Sequence, residues 1–309
     1  MSRDFECFEP GPELRTQVFR LWERVFTSWS GETKKIIADR LEAGFRAGTV
    51  RTPAVRLRET GELIAALRLE AWRFAAGVPG EAETGVHVGE VAVLPEFQGQ
   101  GAGTLLMDYA VRLLKETEPR PDFAFLGGYT GFYGRFGFRS EDSPSRLEIP
   151  LAPERGGVRR FPVTDRLPQA DPGLFRPFLP ETDGESVMKL QTPAPGERII
   201  DADMLKREFI FRRSCDELAC FVTPAQGPPR GFVFLCGNSI YNSGFADEKV
   251  RDLLLSEALR RIAATGAAAA VISANTAPCE AYCRARQLPF RRLFPVGGLC
   301  SAMRLDLRK

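Results

Sequence analysis

The stretch "EFQGQGAGTLLM", Glu96–Met107, sets glycines at Gly99, Gly101 and Gly103 between two apolar segments. Upstream lies the short apolar run "HVGEVAVL", His87–Leu94, closed by Pro95. Downstream, Leu105, Leu106, Tyr109, Ala110, Leu113 and Leu114 recur at helical spacing as far as Lys115. A strand, a glycine turn and a helix in that order present unpaired N–H groups at the positive end of a helix, a ready seat for an anion. A dinucleotide fingerprint would need a third glycine where Thr104 stands, and a nucleoside-triphosphate loop would need a lysine that does not follow. The pattern that remains, [Q/R]xxGx[G/A], is met by Gln98, Gly101 and Gly103.

The 309 residues suffice for two domains, and 44% apolar with 27% charged residues is an ordinary globular composition. Up to Pro150 there are 19 basic and 22 acidic residues, and 23 and 18 after it. Imbalances this small argue against nucleic acid as a partner. No 18-residue apolar run suggests a membrane span, and no apolar leader follows Met1, so a cytoplasmic location is expected. Seven cysteines, an odd number, include no CxxC pair, and the single histidine, His87, stands far from them. Reduced thiols and no metal site are expected.

Helical spacing marks Leu14–Trp29 and about Lys34–Phe45, and extended segments are expected at Ala54–Arg58, Leu63–Phe74, Val86–Leu94 and Phe123–Leu126. Between Pro144 and Pro180 eight prolines interrupt the chain, which reads as a connection between domains. Beyond it the order of elements repeats. Helices are expected near Asp183–Leu190, Asp203–Arg213, Asp247–Ala264 and Cys279–Arg286, and strands at Leu218–Val222, Gly231–Cys236 and Ala268–Ser273.

The second decisive stretch is "GFYGRFGFR", Gly131–Arg139, which begins 28 residues after Gly103. Together with "VAVLPEFQGQGAG" it resembles the paired motifs of the GNAT superfamily of N-acetyltransferases, and its wording is most similar to the Eis-like, tandem-domain branch. The resemblance is specific over Val86–Arg139 and architectural elsewhere. It implies an α/β fold of two tandem domains, each a mixed, mostly antiparallel sheet flanked by helices. Residues 1–150 would bind acetyl-coenzyme A and catalyse, 151–170 would link, and 171–309 would form a degenerate copy.

By the same resemblance the backbone of Val91, Ala92 and Val93 would line the pantetheine arm. The turn Gln98, Gly99, Gln100, Gly101, Ala102, Gly103 and Thr104 would take the pyrophosphate, with Gly128 and Tyr129 also at the cofactor. Tyr133 matches the tyrosine that protonates the departing thiolate. His87, 11 residues before Gln98, occupies an offset where relatives keep a general base, and a histidine suits that work near neutral pH. Glu90 is the other candidate, on the opposite strand face unless the strand bulges. Trp29 and Trp72 are nominated for the acceptor pocket. The expected reaction is direct transfer of acetyl to a primary amine of a small molecule or peptide, and a catalytically silent acyl-coenzyme A sensor is the competing expectation.

In the second half "EAYCRARQLPFRR", Glu280–Arg292, resembles an eroded copy of the tyrosine motif, with Tyr282 in the tyrosine's place. Its turn region, "NSGFADEKV", keeps only Gly244. One cofactor site per chain follows, with the second half completing the acceptor pocket or an oligomer contact.

Overall fold

The computed structural model describes residues 4–76, 78, 81–140, 146–151, 167, 171–191, 198–199, 218–272, 276–293 and 301–308. The expected helix at 203–213 and nearly all of the expected linker at 151–170 lie outside these residues. The chain divides into two compact units, one of residues 1–74, 82–142 and 296–309, the other of residues 75–81 and 143–295. Among the described residues no helix is long and apolar enough to cross a membrane.

In the first unit the chain runs β1 (Phe5–Phe8), α1 (Arg15–Val25), α2 (Gly31–Arg46), β2 (Val50–Arg51), β3 (Ala54–Leu57), β4 (Leu63–Ala75), β5 (Ala82–Val93), α3 (Ala102–Glu116), β6 (Phe123–Gly128), α4 (Thr130–Tyr133) and β7 (Arg139–Ser140). The second unit holds β8 (Arg146–Pro150), β9 (Arg176–Pro177), α5 (Pro180–Lys189), β10 (Leu218–Thr223), β11 (Gly231–Cys236), β12 (Ser239–Phe245), α6 (Glu248–Ala264), β13 (Ala269–Ile272), α7 (Thr276–Ala285) and β14 (Arg291–Leu293). The last strand, β15 (Ser301–Asp306), returns to the first unit.

The first sheet runs β1-β3-β4-β5-β6-β15-β7, and the second β9-β10-β11-β12-β13-β8-β14. The two correspond place for place, and each contains a parallel pair, β5 with β6 and β12 with β13. β15 lies antiparallel between β6 and β7, and β8 lies antiparallel between β13 and β14. Each unit therefore receives its penultimate strand from the other half of the sequence. The expected boundaries at 150 and 171 differ from those of the compact units for this reason: β8 precedes 150 yet builds the second sheet, and β15 is needed by the first.

The core of the first unit gathers Val18, Leu21 and Trp22 of α1, Ile64 and Leu67 of β4, and Leu106, Met107, Ala110 and Leu114 of α3. Leu106, Ala110 and Leu114 belong to the apolar stripe read from the sequence, whereas Met107 lies outside that stripe and Leu105, a member of it, is exposed. Trp22 is wholly buried and its indole N–H donates to the Ala66 carbonyl at 3.4 Å, so the polar end of the largest core side chain is satisfied.

The second unit is pinned by Arg176 and the buried Asp183, whose carboxylate oxygens accept from the guanidinium at 2.6 and 2.7 Å and from the Leu179 amide at 2.8 Å. Burial pushes the Asp183 carboxyl up, but the Arg176 and Leu179 hydrogen bonds outweigh it and hold the group below its ordinary value. A carboxylate more acidic folded than unfolded stabilises the fold above about pH 4, and that contribution is lost as pH falls through its folded value. Asp183→Asn is expected to cost about 2 kcal/mol at pH 7. Denaturant unfolding should find the gap to wild type shrinking toward pH 3.

Candidate active site

β5 pairs with β6 only at Gly85–Phe123, Val86–Ala124 and His87–Phe125, although both strands continue beyond these pairs. Past His87 the strands part, and Val91 and Val93 of β5 face a cleft of about 570 Å³. Its lining is Val91 and Val93 on β5, Gln98, Gly99, Gly101, Gly103 and Thr104 on the turn, Val25 of α1, and Phe132, Tyr133 and Arg135. Both decisive sequence motifs meet there.

Two of the glycines are required by backbone shape: Gly99 and Gly101 have φ of +72° and +92°, where a side chain is strained. Gly103 acts by size, because a Cβ there would lie 3.3 Å from Val93 and 3.6 Å from the Phe132 ring. Gln98 folds back and its Nε2–H donates to the Val93 carbonyl at 3.0 Å, tying turn to strand. Gly101 caps α3 with no side-chain acceptor, so the first-turn N–H groups and the helix dipole face the cleft uncapped. Arg135 lies beside them, its guanidinium 3.4 Å from the Thr104 hydroxyl and over the rings of Phe132 and Phe136. Open amides and a cation suit a phosphate group.

At the other motif, α4 is a single turn in which the Tyr133 amide donates to the Tyr129 carbonyl at 3.1 Å. The Tyr133 ring stands edge-on to Phe132 at 5.0 Å and lies directly over Gly128, where a Cβ would collide with it. Gly128 thus acts by making room for the tyrosine. Tyr129 is 58% exposed and outside the cleft lining. Ala92 and Ala102 face the core, and Gln100 turns its Nε2–H to the Glu96 carbonyl at 2.7 Å. Of the residues nominated from sequence, Val91, Val93, Gln98, Gly99, Gly101, Gly103, Thr104 and Tyr133 line the cleft. Val25, Phe132 and Arg135 were missed. Arg135 had a signal, the basic place in the tyrosine motif, whereas Val25 had none.

His87 and Glu90 do come together, on Arg68. Glu90 has φ +44°, a left-handed residue in β5, and its carboxylate shares Arg68 with His87 against the period of two. Arg68 Nε donates to Glu90 Oε2, Nη2 to Glu90 Oε1 at 3.3 Å, and Nη1 to Glu70. The same Nη2 lies 3.3 Å from His87 Nδ1. Trp72 stacks on the His87 ring at 5.1 Å, with Phe125 on the same ring at 5.1 Å. Trp29 stacks on Phe26 at 4.8 Å. Neither tryptophan is among the residues lining this cleft.

The second unit has the same two places filled by its own side chains. Asp247 caps α6, its carboxylate accepting from the Val250 amide at 2.9 Å, so the position of a bound anion is occupied. Tyr282 is wholly buried and its hydroxyl pairs with Ser256 at 2.7 Å. Burial pushes that phenol up to about 12. Among the described residues no group of three His, Cys, Asp or Glu side chains is placed to hold a metal ion.

The sequence profile of the acetyltransferase (GNAT) family matches residues 15–138. No curated protein matches the sequence. Similar solved structures include a GCN5-related N-acetyltransferase from Kribbella flavida, with TM-score 0.69 and 14% identity over 98% of this chain and 71% of that one. Eis1 from Mycobacterium abscessus is similar with TM-score 0.60 and 14% identity, over 98% and 74%. A tandem GNAT protein from the clavulanic acid biosynthesis pathway is similar with TM-score 0.52 and 14% identity, over 98% and 99%. At such identities the likeness is one of fold. Residues 15–138, with the glycine turn and Tyr133 inside them, match the acetyltransferase (GNAT) family model, and the fold of the chain is that of these two-unit structures.

Proposed function

We propose that the first unit transfers the acetyl group of acetyl-coenzyme A to a primary amine by direct attack. The observation that carries this reading is one cleft lined by an uncapped glycine turn and, beyond the splayed β5, by Tyr133. The turn amides and Arg135 hold the pyrophosphate, and the opened edge of β5 runs beside the pantetheine arm. Acetyl-coenzyme A supplies the thioester. As the amine nitrogen bonds to the carbonyl carbon, β5 amides facing the cleft stabilise the oxyanion. When the carbon–sulfur bond breaks, Tyr133 gives its hydroxyl proton to the departing sulfur, and the proton shed by the new amide nitrogen restores the phenol through water. The acceptor is a small-molecule amine, and the second unit, with its capped helix and buried Tyr282, binds no second cofactor. Cytoplasmic reduction suits Cys7 and Cys283, neither of them in a disulfide.

The test pairs calorimetry of coenzyme A binding with thiol release from acetyl-coenzyme A across a panel of primary amines. Binding at one site per chain with amine-dependent release is expected. Tight binding with no release across the panel would favour a silent sensor, and no binding would sink both readings.

A further inference from the structure

Both side chains that the sequence nominates as general base rest on a single guanidinium. We propose that Arg68 is a positioning residue that fixes His87 as a hydrogen-bond donor, so that the acceptor amine reaches the thioester already neutral. The proposal rests on the acetyl-transfer reading for its kinetic consequence, while the state of the imidazole is a property of the protein alone.

A guanidinium has five N–H donors and no acceptor. Where Arg68 Nη2 meets His87 Nδ1 at 3.3 Å, the imidazole nitrogen supplies the lone pair. A neutral imidazole has one such nitrogen, so its proton sits on Nε2. The ring's plane is set by Trp72, stacked at 20°, and by Phe125. The meeting point is built into the strand: a Cβ on Gly89 would lie 2.8 Å from Arg68 Nη2 and 3.0 Å from His87 Cε1.

Glu90 is held by the same group. Both its oxygens accept from Arg68, with Glu90 in a left-handed conformation that is strained for a residue with a side chain. The Arg68 side chain is 5% exposed and Glu90's 17%, so the pair is largely sheltered from water. Charge-assisted bonds in such surroundings are strong and geometrically strict. An imidazole whose Nδ1 is engaged and whose Nε2 carries hydrogen donates a hydrogen bond and takes no proton. The ammonium form of the acceptor then loses its proton to water before the nitrogen attacks.

His87 is the chain's only histidine, so its ring can be read without assignment. Protein labelled with ¹⁵N-histidine is expected to show the neutral Nε2–H tautomer at pH 8, by one protonated and one bare ring nitrogen. Arg68→Met should turn this into a tautomer mixture, and Arg68→Lys, which still donates, should restore part of the preference. An Nδ1–H tautomer or an imidazolium in the wild-type spectrum at pH 8 overturns the proposal, whether or not either variant folds. In the kinetic arm, kcat/KM is followed against pH with phenethylamine and with the less basic glycinamide. A rising limb that moves down in pH with the weaker base supports the proposal. A limb at one pH for both amines, abolished by His87→Gln, overturns it. A donor tautomer without turnover of any amine would instead count against acetyl transfer.

Discussion

Tyr133→Phe lowers turnover by about a hundredfold, the lower end of what a positioned acid contributes, and leaves acetyl-coenzyme A affinity within about twofold. The ring's place depends on Phe132 and on the absence of a side chain at Gly128, and a phenylalanine keeps both contacts. Only the hydroxyl is lost. Because it matters when charge builds on the departing sulfur, its removal should depress kcat and kcat/KM together. Thiol release under steady-state conditions, with calorimetry for affinity, separates the two effects. A variant with the wild-type rate would show that solvent protonates the thiolate and that Tyr133 is only packing.

Gly101→Asp is expected to weaken acetyl-coenzyme A binding by about a hundredfold or more, some 2.7 kcal/mol. The second unit supplies the reason. There Asp247 places its own carboxylate on the first-turn amides of α6, where the first unit leaves those of α3 uncapped. An aspartate at 101 would set a negative charge beside the same amides and against the pyrophosphate. The φ of +92° strains any side chain, a cost of about 1–2 kcal/mol that Asp and Asn tolerate better than most. Gly101→Asn carries the strain without the charge and should retain most of the affinity. Equal losses in both variants, measured by calorimetry, would assign the effect to the backbone and remove the electrostatic account.

The parts of the molecule that were legible in the sequence are those governed by neighbours along the chain. The α3 stripe, the strand at Gly231–Cys236 and the two cleft motifs all follow from local periodicity and glycine placement. The face on which Glu90 lies was hidden, because a φ of +44° is imposed by its pairing with Arg68, 22 residues away. Trp72, nominated for the acceptor pocket, stacks on His87 and tilts against Phe125, contacts with neighbouring strands that no local stretch of sequence shows. The strand at Ser301–Asp306 was also missed. Its partners, Phe123–Gly128, lie so far back in the chain that no window of sequence contains both.

That distance sets a schedule for the protein's birth. β6 is synthesised about 170 residues before β15, and ribosomes add roughly 5–20 residues per second, so one edge of β6 waits on the order of 10–30 s for its neighbour. Throughout that interval the nascent first half presents the unpaired, apolar edge "FAFLGG" to whatever strand it meets. The cleft residues Phe132, Tyr133 and Arg135, just beyond β6, gain the neighbouring strand β15 only after that interval.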